Sequence, residues 1–100
     1  MHFTLKIDDG ICKGFKDEEG TDLFVNKAYD EETNTHCLLI FMPSFPKYNL
    51  LGIQQPLAYE SEQQRDEFYT HGVNDEFANT FIKNLSEHVE NSRKNAENQG

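Results

Sequence analysis

The sequence predicts an α+β domain: an antiparallel sheet of four or five strands followed by two C-terminal helices, the last packed on one sheet face. Three patterns carry this expectation. Apolar and polar residues alternate near the N-terminus, residues 37–42 form an unbroken apolar run, and residues 77–89 repeat apolar side chains at helical spacing. A chain of 100 residues, 36% hydrophobic and 12% aromatic, holds one core and is too short to divide.

Phe3, Leu5 and Ile7 alternate with His2, Thr4 and Lys6, the period of a strand with one wet face. Asp8, Asp9 and Gly10 follow as turn residues. A three-residue loop with Gly10 left-handed would set Ile7 opposite Ile11 and Phe3 opposite Phe15, sharing one apolar face across a hairpin. After the polar stretch 16–20, Leu23, Phe24, Val25, Ala28 and Tyr29 mark a third strand, closed by an acidic turn over 30–35. The next strand, near 36–42, is apolar on both faces, the pattern of a central strand covered above and below.

Pro43, Pro46, Gly52 and Pro56 exclude a helix over 43–56. Residues 48–53 are then a further strand or a covering segment, with a short last strand near 57–59. Ser61 and Gln64 have capping-box spacing and Gly72 stands at a C′ position, which predicts a helix over 62–71. The second helix begins after the N-cap Asn74 and packs the face of Phe77, Ala78, Phe81, Ile82, Leu85 and Val89. Asp75 and Glu76 lie at its positive end and Arg93 and Lys94 toward its negative end. Residues 1–90 are expected to form the domain and 91–100 a polar, frayed tail, since only Ala96 is apolar after Glu90.

No residue recommends itself for catalysis, cofactor binding or metal binding. His36 and Cys37 are strand neighbours and point to opposite faces, so they cannot act as base and nucleophile together. His2, His36, His71, His88, Cys12 and Cys37 show none of the local spacings of a zinc site. No phosphate-binding glycine motif occurs. Both thiols read as reduced and inert, because the N-terminus lacks the pattern of a secretory leader. A cytoplasmic protein is expected.

Charge is the more informative property. The net charge is -9, from 18 acids and 9 bases, which opposes contact with nucleic acid or an anionic membrane. Residues 1–32 hold nine acids and four bases, and 60–76 hold six acids and one base; between them 33–59 contains only Lys47. The acidic residues Asp17, Glu18, Glu19, Asp30, Glu31, Glu32, Glu60, Glu62, Asp66 and Glu67 form a candidate acidic surface suited to a basic protein partner. Phe45, Tyr48, Leu50, Leu51 and Ile53, in the uncharged stretch, form a candidate protein interface, with core filling as the plain alternative. The expected function is that of a small acidic, non-enzymatic interaction protein, such as a binder, inhibitor, immunity-type or accessory factor, acting alone or as a homodimer. The rival is a small-molecule binding domain or small enzyme with a pocket between the sheet and the C-terminal helix.

Overall fold

The structure, a computed structural model, describes residues 2–98 and the side chains of residues 2–95. Five antiparallel strands follow one another in chain order: β1 (Thr4–Asp8), β2 (Cys12–Lys16), β3 (Asp22–Asp30), β4 (Thr35–Phe45) and β5 (Leu50–Tyr59). A turn of 3-10 helix, Pro46–Tyr48, joins the last two. Helices α1 (Glu62–His71) and α2 (Asp75–Asn98) complete the predicted α+β architecture.

The β1–β2 hairpin departs from the expected register. Asp8 pairs with Lys13, Ile7 with Gly14 and Leu5 with Phe15, with a bulge between Leu5 and Ile7. The bulge turns Ile7 to the sheet face opposite Leu5, so the two apolar residues of β1 do not share a side. Gly10 is left-handed as expected, with φ 88°. The turn lies further along the chain, closed by the Asp9 N–H on the Cys12 carbonyl at 3.2 Å, and carboxylates organise it: Asp8 accepts from the Gly10 N–H, and Asp9 from the N–H groups of Ile11 and Cys12.

β4 is also more one-sided than its composition predicts. Leu38, Ile40 and Met42 are fully buried beneath the helices, whereas Leu39 and Phe41 are half-buried on the other face. β5 is one continuous strand where two short pieces are expected. It tolerates Pro56 because it is an edge strand, with a neighbour on one side only.

Ser61 caps α1, its side chain accepting from the Gln64 N–H at 3.1 Å, while the Gln64 side chain accepts from the N–H of Glu60. Gly72 follows α1 with φ -102°, not left-handed. Its missing side chain serves packing instead, because a Cβ there would lie 2.5 Å from the Phe68 ring. Asn74 caps α2 through the Phe77 N–H at 2.9 Å. α2 buries Ala78 and Ile82 and packs Phe77, Phe81, Leu85 and Val89 against the core of Phe3, Phe15, Leu23, Val25, Leu38, Ile40 and Met42. The helix continues past Glu90, and Arg93 donates to the Tyr48 carbonyl at 2.7 Å, so ordered contacts reach beyond residue 90. No helix among the described residues is long and apolar enough to cross a membrane.

One buried cation ties α1 to the sheet. Lys13 is 4% exposed, and its ammonium donates to the Tyr69 and Val73 carbonyls at the C-terminal end of α1, where helix carbonyls lack partners and the dipole is negative. Lys13 and Lys27 each hold their ammonium 4.7 Å from the centroid of the Tyr69 ring. The Tyr69 hydroxyl donates to Asp8 at 2.9 Å. That carboxyl is held below its ordinary range, first by the Gly10 N–H and then by Tyr69. Tyr69 is pushed well above the ordinary phenol value by burial and by Asp8. Lys13→Met should therefore lower stability by about 2–4 kcal/mol, because two buried carbonyls lose their donor. Urea unfolding beside the exposed control Lys16→Met checks this, and equal midpoints would show that the helix end is held by other means.

Candidate interaction surface

Two helices cover one face of this sheet, and strand pairing identifies what lies on the other. Ile7 opposes Gly14, Gly14 opposes Phe24, and Phe24 opposes Phe41. Cys12 pairs with Asn26, Asn26 with Leu39, and Leu39 with Pro56. Ala28, Cys37 and Ala58 form a third row. Paired residues point to the same face and alternate residues to opposite faces, so these rows lie together on the side away from Leu38 and Ile40. Gly14 shapes the surface, since a Cβ there would meet the Phe24 ring at 3.3 Å and Ile7 at 3.5 Å.

The rows carry no charged side chain. Charges appear at their ends: the Lys16–Asp22 ion pair at 3.5 Å, Asp30 beyond Ala28, and Lys6 at the β1 rim. Ile7 is 58% exposed, Phe24, Leu39 and Phe41 are half-buried by one another, and Pro56 and Ala58 are exposed. With Asn26 and Gln54 as its polar members, the result is a largely apolar, uncharged and uncovered sheet face.

The residues singled out from sequence are distributed differently. Phe45 and Tyr48 are buried in the core, and Leu50 and Ile53 pack against it. Leu51 alone of the five is presented to solvent, at 83%. The ring of Tyr48 lies edge-on to Phe45, and its hydroxyl donates to Glu90 at 2.6 Å. The apolar surplus expected in residues 45–53 thus lies instead in alternate residues of β2, β3, β4 and β5.

Of the acidic residues, Asp30, Glu31 and Glu32 occupy the β3–β4 turn, at the same end of the sheet as Glu60 and Glu62, because His36 next to that turn pairs with Tyr59. Glu67 is exposed on α1. Asp66 is held low: burial opposes ionisation, but the Arg65 and Lys27 cations outweigh it, Lys27 at 3.4 Å and Arg65 at 3.1 Å. Asp17, Glu18 and Glu19 lie at the far end of β3, about 25 Å away along the strand. Asp17 is only 6% exposed and serves its turn, accepting from the N–H groups of Glu19 and Thr21. Two acidic segments are brought together and the third is not.

The thiols also lie on the open face. Cys12 and Cys37 are separated by β3, two strand spacings or about 10 Å, beyond disulfide reach. Burial, then Asp9 and Asp8, push the Cys12 thiol up. Between β5 and α2 runs an open groove lined by Ile53, Leu57, Phe81, Leu85 and His88. No cluster of three or more His, Cys, Asp or Glu able to hold a metal occurs among the described residues.

No protein-family model, no curated protein and no solved structure matches the chain.

Neighbouring residues of one strand provide a test of this two-sidedness. Leu38→Lys places a charge in the core and should unfold the domain or cost more than about 4 kcal/mol. Leu39→Lys, one residue on, should cost less than about 2 kcal/mol, because its ammonium reaches water. Circular dichroism melts of both variants check the contrast, and equal losses would mean that both faces of β4 are covered.

Proposed function

We propose that this chain is a non-enzymatic protein-interaction domain that acts through the uncovered face of its sheet. The observation that supports the reading is the charge-free apolar surface of Ile7, Cys12, Phe24, Cys37, Leu39, Phe41, Pro56 and Ala58 in a chain of net charge -9. Contiguous apolar surface of this size is rare where nothing docks, and aromatic and aliphatic side chains ringed by charge are the usual centre of an interface. The helices and the acidic turn at 30–32 present the opposite character, a negative surface suited to a basic protein. Reduced, half-buried thiols on the contact face agree with a cytoplasmic setting.

Affinity capture from cells that express the protein natively provides the test, using tagged wild type, Phe41→Lys and Thr80→Lys as baits. Proteins recovered in stoichiometric amount, untagged copies of the chain included, should be retained by wild type and by Thr80→Lys on the helical side. They should be lost from Phe41→Lys by at least about tenfold. Identical recovery on all three baits would remove the sheet face from the function.

A further inference from the structure

We propose that the uncovered sheet face pairs with the same face of a second copy of this chain, forming a two-fold β-sandwich with the helices outward. The inference rests on the interaction reading above and assigns the occupant.

Three features point to a second copy. The first is charge. In a two-fold interface a patch meets itself, so any net charge on it faces its own kind. Two chains of -9 repel through every acidic surface they carry, and the rows between the Lys16–Asp22 pair and Asp30 form a broad surface with no charge to oppose. The second is area. β3, β4 and β5 at about 4.8 Å by seven residues at about 3.3 Å give a plane of about 14 by 23 Å, or roughly 330 Å², which the five-residue strands β1 and β2 extend through Ile7, Cys12 and Gly14. Pleat and side-chain relief raise this toward the roughly 600 Å² per partner at the lower end of specific interfaces.

The third is the state of the sheet edges. The outer side of β1 is occupied by α2: Asn79 accepts from the Phe3 N–H and donates to its carbonyl, and Asp75 accepts from the Leu5 N–H at 2.8 Å. The opposite edge, β5, contains Pro56 and a left-handed Gly52 with φ 63°. Both devices discourage a further strand. Edge-to-edge association is disfavoured, and stacking face to face at about 10 Å is the packing that best suits an apolar antiparallel sheet. Phe24, Leu39 and Phe41 then supply the centre of the joint core, with Ile7, Pro56 and Ala58 toward its margins.

Sedimentation velocity of the purified chain from 1 to 200 µM tests the assignment. Wild type should sediment at twice its 11.6 kDa mass. Phe41→Lys should be monomeric. Ala58→Lys, an exposed β5 position whose substitution leaves the core untouched, should raise the dimer dissociation constant by at least about tenfold, since each copy then brings an unpaired ammonium into an apolar interface. Thr80→Lys, which adds the same charge on the helical side, should remain dimeric. A monomeric wild type throughout the range overturns the pairing, as does a dimer indifferent to Ala58→Lys. In either case, capture of a foreign protein lost on Phe41→Lys would leave the interaction reading standing, and unchanged capture would remove both.

Discussion

A sheet has two faces, and this chain has helices for one. Five strands use most of the first sixty residues, leaving one short helix and one long helix to cover them. Both helices follow the last strand and pack on the same side, so the buried side chains come from alternate strand positions, Lys13 and Phe15, Leu23 and Val25, Leu38, Ile40 and Met42, until Phe45 joins the core at the end of β4. Every intervening residue of the central strands is left on a surface. Had those residues been Lys, Glu, Thr and Ser, the domain would be an ordinary half-wet sheet. Beside Asn26 and Gln54 they are Cys, Phe, Leu, Ala and Pro, and the functional reading follows from that choice.

The covered side depends on polar joints as much as on apolar area. α1 has only Phe68 and Tyr69 as apolar residues and contributes Tyr69 and Arg65 to the interior, so it is held by bonds rather than by a broad hydrophobic stripe. Lys13 reaches from β2 to the end of α1, Arg65 donates to the Ala28 carbonyl of β3 at 2.8 Å, and Tyr69 reaches Asp8 at the end of β1. α2 is fixed at both ends, by Asp75 and Asn79 on β1 and by Glu90 and Arg93 on Tyr48. A buried ammonium is tolerated because each contact it makes is with a carbonyl or a ring face that complements it.

Much of the fold was legible in the sequence. Period-two alternation located the early strands, Asn74 and the 77–89 periodicity located α2, and Ser61 with Gln64 located α1. Matching apolar residues to one another does not give the hairpin register, because the carboxylates of Asp8 and Asp9 and the bulge before Ile7 decide it. β5 was divided at Pro56 because sequence does not reveal which strand ends up at an edge. The near absence of charge over residues 45–53 marks them as a candidate interface, yet Phe45 and Tyr48 close the core where α2 crosses the β4–β5 end, and of the five candidates Leu51 alone is presented to solvent. The signal for the sheet face lay in the two-sided apolar run 37–42. Such a run predicts cover on both sides, although two C-terminal helices supply cover for one.

The central claim, that the open face meets a protein surface, is read most directly from its own thiols. Cys12 and Cys37 sit on that face in strands β2 and β4, on either side of β3. Maleimide labelling of both, followed by mass spectrometry across a dilution series from micromolar to nanomolar protein, should show the two becoming protected together as concentration rises. A cysteine placed at Thr80 on the helical side should label at one rate throughout. Rates for Cys12 and Cys37 that ignore both protein concentration and added cell extract would contradict the account.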